Sequence, residues 1–311
     1  MTTMREGVVE YLALRRSLGF TLRKVEWMLG QFLDYVELQG VEFITTDLAV
    51  RWARLPAQSL TATWSARLSA VRLFAAWWSA TEPRTEIPPL GLFPGRYRRQ
   101  APYIYSDAEI EAIVQTAEQL RSRAGLRGPS YATIYGLLAV TGMRISEVIA
   151  LDVGDIDLRQ GVLTIRRTKF GKSRLLPLHA STVAALDRYA RQRDQLVKRA
   201  CDAFFLSEKG VRISQWGTRY NFAQVSRKVG LRSPGGRHGH GPRIHDLRHR
   251  FAVRTLIAWY RAGLDAEREL PRLSAYLGHA HIADTYWYIE AVPELLQLAT
   301  ERWMRGHAGA S

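Results

Sequence analysis

Cysteine is almost missing from this sequence: Cys201 stands alone in 311 residues. One thiol cannot close an internal disulfide, so no disulfide framework is available, and a Cys-rich zinc site is excluded as well. Long apolar runs are also lacking. The longest, such as YGLLAVTGM at 135–143, are far too short to cross a bilayer. The opening MTTMREGVVEYLALRR carries Glu6 and Glu10 where a secretory leader needs unbroken apolar residues. A soluble intracellular protein is expected. No internal repeat or low-complexity tract interrupts the chain.

Acidic residues are scarce relative to basic ones, 29 against 44, and the formal net charge is +15. The excess is uneven. Residues 1–96 hold 11 Lys/Arg and 9 Asp/Glu, whereas 97–311 hold 33 and 20. A basic surface on the C-terminal two-thirds favours a polyanionic partner, usually nucleic acid, over a membrane surface. Apolar residues make up 47% of the chain, enough for a proper core, and the length suits two ordinary domains or one large one.

The first hundred residues read as helices. VVEYLALRRSLGF and VEWMLGQFLDYVELQ repeat apolar residues at three- and four-residue steps, and TTDLAVRWARL opens with cap candidates. A break rich in Pro, Gly and Arg follows near 82–104, with a basic linker at 96–104. Ser106 and Glu109 then have capping-box spacing. A helix at about 130–142 runs into TGMRISEVIAL, and 161–178 reads as two short strands around the turn KFGK. PELLQLATERWMR at 293–305 reads as an amphipathic helix. The expected fold class is mainly α with a small β-sheet: a helical domain over 1–95, the linker, and a mixed α/β domain over 105–311.

Four separated segments hold side chains suited to chemistry. TGMRISE contains Arg144 and Glu147. The hairpin turn contains Lys169 and Lys172. HDLRHRFA places His245 and Arg248 three apart, one face of a helix. LGHAHIADTYWY contains His279, Tyr286 and Tyr288. Each alone is commonplace: an ion pair, a solvated lysine, a chance His-x-x-Arg, an aromatic stripe in a core.

Together, in this order, they resemble the tyrosine recombinases, or phage-type integrases. That family carries an Arg in a TGxRxSE helix, a Lys in a β-hairpin turn, a His-x-x-Arg pair, a Gly-His, and a Tyr nine residues after that His. Here these are Arg144, Lys169, His245, Arg248, Gly278–His279 and Tyr288. The resemblance covers about 100–292; residues 1–95 resemble the family's helical core-binding domain only in kind. APYIYSDAEI and LPRLSAYLGHAHIADTYWYI are similar to transposon-borne recombinases encoded in trios. Counting back from LLPL, Lys169 is the hairpin lysine. Counting forward from Arg144, the turn carries one extra residue, which leaves Lys172 as a phosphate contact or the alternative acid.

The resemblance implies site-specific cutting and rejoining of double-stranded DNA through a 3′-phosphotyrosyl bond, with no cofactor, ATP or metal. It implies a homo-tetramer or a mixed tetramer on paired sites, and a cytoplasmic, nucleoid-associated location. A phenol with a pKa near 10 is a poor nucleophile at neutral pH and needs a base or a strongly cationic site. Arg144 and Arg248 suit bidentate grip on non-bridging phosphate oxygens. His245 suits the phenolic proton or a phosphate hydrogen bond, His279 a non-bridging oxygen, and Lys169 the departing 5′-oxygen. Glu147 either orients Arg144 or the hairpin lysine, or is a helix ion pair. Tyr286, two residues before Tyr288, points about 200° away on a helix; Tyr286, Trp287 and Tyr276 are expected to pack.

Further DNA contacts are expected from Arg96, Arg98 and Arg99 in the linker, and from Lys172, Arg174, Arg219, Arg237 and Arg243, several of them within 212–243. FGKS at 170–173 lacks the upstream glycine of a phosphate-binding loop. His238, His240, His245 and His249 are interleaved with Arg and Gly rather than acidic or Cys ligands, so a DNA-facing loop suits them better than a metal. The resemblance implies that such a tail helix docks on a neighbouring subunit and couples protomers in a tetramer; the alternative is a helix packed on its own domain. Two rivals are a type IB topoisomerase, which shares the chemistry but relaxes supercoils without strand exchange, and a non-catalytic DNA-binding accessory protein of the same fold, against which the intact six-residue set argues.

Overall fold

Thr3 opens the first helix with a capping box, its hydroxyl taking the Glu6 N–H while the Glu6 carboxylate reaches back to the Thr3 N–H. The helices that follow from it are α1 (Met4–Ser17), α2 (Arg23–Leu38), α3 (Thr46–Arg54) and α4 (Thr61–Trp78). The computed structural model describes residues 3–94, 101–166, 173–198, 200–233, 241–279 and 281–308. The chain divides into two compact units, Met1–Arg99 and Gln100–Ser311. The first has its own core, built from Leu29, Phe32, Trp52, Val71 and Phe74 among others. A Cβ at Gly7 would stand 2.3 Å from the Trp78 ring, so α1 approaches α4 too closely for a side chain there.

The second unit opens with α5 (Asp107–Glu118), where Ser106 and Glu109 form the capping box their spacing predicts. It continues with α6 (Arg127–Thr141), α7 (Ile145–Ala150), β1 (Ile156–Asp157), β2 (Val162–Ile165) and β3 (Arg174–Pro177). Then come α8 (Ala180–Leu196), α9 (Gln215–Lys228), α10 (Asp246–Arg261), α11 (Ala266–Leu277), α12 (Ala283–Ala291) and α13 (Pro293–Ala308). The strands form one antiparallel sheet in the order β1-β2-β3, with Leu163 opposite Leu176 and Ile165 opposite Arg174. The mainly helical class with a small sheet is therefore observed. The KFGK turn lies outside the described residues, and β1 is an addition that a two-residue segment gives no period to reveal.

The apolar side chains of this unit form two clusters. One gathers α5, α6, the sheet, α8 and α9 around Tyr135, Leu138, Leu163, Leu176 and Phe222. The other gathers α10 to α13 around Val253, Leu256, Leu273, Tyr288 and Leu295. Helix α10 joins them, with Leu247 in the first cluster and Ala252 in the second. Helix α13 packs on α10 and α12 of the same unit.

Candidate active site

The seam between those two clusters carries the ionisable side chains. Gly142 ends α6 in the left-handed region, φ +61°, where a Cβ would also meet the Phe251 ring at 2.6 Å. The chain turns immediately into Arg144, which sits extended as the cap of α7 rather than within a helix. Its Nη1 donates to Glu147 Oε1 at 2.9 Å, and its Nη2 to the Gly278 carbonyl at 2.7 Å.

Arg248, in the first turn of α10, donates Nη1 to the Gly142 carbonyl and Nη2 to the Leu277 carbonyl, both at 2.7 Å. Leu277 and Gly278 are consecutive, so the end of α11 gathers two guanidiniums from different elements onto adjacent carbonyls. Arg248 is only 2% exposed. Burial, and then the neighbouring Arg144, pulls its pKa down to about 10, so it stays a cation at neutral pH.

Glu147 makes this crowding of cations tolerable. Its carboxylate takes Arg144, and also two bonds from Arg174 at 3.1 and 2.8 Å, while Arg174 Nε donates to the Tyr276 carbonyl at 2.8 Å. Burial alone would push the Glu147 carboxyl up. The bonds from Arg174 and from the Arg144 backbone, with both guanidinium charges, outweigh it and hold the pKa below the usual carboxylate value. Gly278 is required here twice over: its φ is +67°, and a Cβ would stand 2.8 Å from Arg174 Nη1 and 3.5 Å from Arg144 Nη1.

His279 follows directly, with Nδ1 2.8 Å from Thr285 Oγ1 and its ring centroid 6.3 Å from that of Tyr288. Tyr288, on α12, is 2% exposed, whereas Tyr286 is 39% exposed. Trp287 lies against the rings of His249 and Tyr288. Tyr276 stacks on Phe251 at 5.4 Å, its phenol pushed up to about 12 by burial. The Tyr288 hydroxyl lies 3.1 Å from Nδ1 of His249. His245 precedes α10 at the exposed mouth of the site, its ring edge-on to His249 with centroids 4.8 Å apart. Burial, then Arg248, holds its pKa below the usual histidine value.

The remaining expected contacts fall into three groups. Arg174 turns inward onto Glu147 and is 13% exposed in its side chain, which makes it part of the site's scaffold. Arg219 is exposed on α9, and Arg243 is half-exposed with its N–H and guanidinium on Asp246. Lys169, Lys172, Arg96, Arg98, Arg99 and Arg237 lie outside the described residues, as do His238 and His240. Among the described residues no three His, Cys, Asp or Glu are grouped to hold a metal ion, and no helix is long and apolar enough to cross a membrane.

Two expectations are corrected: His249, grouped from the sequence with a DNA-facing loop, lies on α10 with its ring against Tyr288 and Trp287, and Arg174, expected on DNA, is held by Glu147. The only signal for His249 was its place directly after Arg248. Nothing in a linear pattern joins it to a tyrosine 39 residues away.

Solved structures show which fold this chain shares. The Tn1549 transposon integrase in complex with a circular intermediate DNA matches 97% of this chain with all of its own, at TM-score 0.65 and 15% identity. The XerH site-specific recombinase bound to palindromic difH matches 84% of this chain and 73% of its own, at TM-score 0.63 and 20% identity. The fold is that of tyrosine recombinases. Among relatives by sequence, a Sinorhizobium fredii protein whose name is integrase/recombinase y4rB is 44% identical over 310 residues, 98% of each chain. Tyrosine recombinase XerC of Escherichia coli is 28% identical over 297 residues, 91% of this chain and 90% of its own. Residues 105–294 match the phage integrase family, and the chain belongs to it, as a recombinase enzyme of the tyrosine class.

Proposed function

We propose that this protein is a site-specific DNA recombinase that cuts and rejoins strands through a 3′-phosphotyrosyl bond at Tyr288. The observation that carries this reading is the gathering of Arg144 and Arg248 on the adjacent carbonyls of Leu277 and Gly278, beside His279, with the buried Tyr288 phenol on the next helix.

A scissile phosphodiester between the two guanidiniums gains negative charge as the Tyr288 oxygen attacks phosphorus. The guanidiniums, already tethered, meet that charge with little rearrangement. His245 and His279 offer N–H groups to its oxygens. The hairpin lysine, Lys169 or Lys172, protonates the departing 5′-oxygen, which would otherwise leave as a poor alkoxide. The phosphotyrosine keeps the ester energy, so a 5′-hydroxyl from a partner duplex can attack it and rejoin the strands without ATP.

Double-stranded DNA is the partner. The charge excess of residues 97–311 supports this, as do the relatives whose structures hold DNA. Residues 1–95 serve as the core-binding domain and 105–311 as the catalytic domain. Exchange between two duplexes calls for four active sites, from four copies or from a mixture with related recombinases. Similarity to a transposon integrase supports a mobile-element setting.

The test is a nicked suicide duplex taken from the ends of the genetic element that encodes the protein, run with chelator on a denaturing gel. A covalent protein–DNA band is expected for the wild type and for Tyr286→Phe, and none for Tyr288→Phe with DNA binding retained. A band in Tyr288→Phe together with its loss in Tyr286→Phe would reject the assignment.

A further inference from the structure

The Tyr288 hydroxyl is held by a side chain outside the six motif residues. His249 sits one residue after Arg248 on α10, about 100° further round the helix. That step takes it away from the carbonyls that bind Arg248 and towards α12. Its Nδ1 lies 3.1 Å from the Tyr288 hydroxyl. The imidazole is wedged between the rings of His245, Trp287 and Tyr288, at centroid distances of 4.8, 5.4 and 5.4 Å. A ring clamped on several sides presents its Nδ1 in one direction, and that direction is the phenol.

We propose that His249 is a further catalytic residue of this site: its Nδ1 accepts the phenolic hydrogen of Tyr288 and takes up that proton as the oxygen bonds to phosphorus. This rests on Tyr288 being the nucleophile. In cleavage the Oη–H bond breaks and the proton passes to Nδ1, while the Oη–P bond forms. The P–O5′ bond breaks, and the 5′-oxygen leaves with its electron pair and a proton from the hairpin lysine. Rejoining reverses each transfer, and His249 returns its proton to the departing phenol. His245, at the exposed mouth, is left for the phosphate.

The surroundings keep the ring unprotonated before DNA enters. Burial, and then His245, Arg243, Arg248 and His279, all push the His249 pKa down, to about 3. The ring is therefore neutral at physiological pH and has a lone pair to offer. A phosphodiester entering among the same cations offsets their charge as its own anionic charge grows, so the imidazolium becomes tolerable in the step that forms it.

Two variants of the full-length chain separate proton uptake from packing. His249→Phe keeps the ring volume. His249→Asn keeps an oxygen that accepts a hydrogen bond but cannot take a proton. With saturating suicide duplex, both are expected to form the covalent complex at least about 100-fold more slowly than wild type, with DNA affinity within about twofold. A duplex with sulfur at the scissile 5′ position has a leaving group that needs no proton. It should rescue the Lys169→Ala, Lys172→Ala double variant and leave both His249 variants slow. In ¹⁵N-histidine spectra of the free protein, Tyr288→Phe should move the His249 Nδ1 resonance.

A wild-type rate in His249→Asn would overturn proton uptake, and rescue of the His249 variants by the sulfur duplex would move the residue to the leaving group and overturn it too. An unmoved resonance would remove the contact itself. A covalent band in Tyr288→Phe is a different failure, because it would reject the nucleophile and not the role of its neighbour.

Discussion

Glu147 shows how much one carboxylate does at this site. It lies in the interior and binds both Arg144 and Arg174, whose side chain is itself 13% exposed. Removing one partner of a buried ion pair leaves a desolvated charge uncompensated, which typically costs 3–5 kcal/mol. Glu147→Gln is therefore expected to destabilise the second unit by about 3 kcal/mol, read as a lowered denaturation midpoint, and to slow DNA cleavage because Arg144 loses its anchor. Arg144→Ala and Arg248→Ala act on the chemistry more directly. Each is expected to lower the single-turnover cleavage rate by on the order of 10²-fold, about 3 kcal/mol, by loss of a donor to the developing charge. His249 also links stability to pH. Its folded pKa is depressed to about 3 against an ordinary 6.5, so the unfolded chain binds the proton first. Its contribution is complete above about pH 6.5 and is lost as pH falls towards 3, at no more than about 1.4 kcal/mol per pH unit. Denaturant titrations of His249→Phe should show a shallower decline through that window.

At the scale of elements, the end of α11 governs the site. Its last carbonyl and that of Gly278 receive Arg248 and Arg144, and the turn that exposes them depends on a positive φ. Gly278→Ala combines left-handed strain, roughly 1–2 kcal/mol for an L-residue, with a Cβ 2.8 Å from a guanidinium. It is expected to lose cleavage activity out of proportion to its loss of thermal stability. Equal losses in both would mean that the turn only supports the fold. The packing of α13 on α10 and α12 continues the cluster that contains Tyr288, so the tail helix supports the helix that carries Tyr288 from within the same unit.

The whole molecule is two compact units with very different charge. Residues 1–96 are nearly neutral, with 11 Lys/Arg against 9 Asp/Glu, and the basic excess lies beyond them. Binding of a DNA duplex by residues 97–311 should therefore release counterions. Its affinity is expected to fall about a thousandfold between about 50 and about 200 mM salt, measured by anisotropy of a labelled duplex. A flat salt response would contradict an interface of this charge. Because each unit has its own apolar cluster, residues 100–311 produced alone are expected to unfold cooperatively, as a single calorimetric transition.

Much of this was legible in the linear chain. Period and capping identified the helices: Ser106 with Glu109, the step pattern of α1 and α2, and the tail helix all follow from interactions within a turn or two. The 200° separation puts Tyr286 and Tyr288 on different faces of α12, but Tyr286, expected to pack, is 39% exposed, because helix period fixes the angle between two side chains and not which face the rest of the molecule covers. Motif order pointed to the family. Local rules stop at contacts between segments far apart in sequence. That Arg248 reaches residue 277 and Arg144 residue 278, that Arg174 turns in to Glu147, and that His249 faces Tyr288 are decided where α10, α11, α12 and β3 meet. The sequence by itself determined which elements form and which side chains they carry. Only the tertiary structure decided which of those side chains touch, because desolvation and hydrogen-bond satisfaction at the seam between two cores depend on every element that closes it.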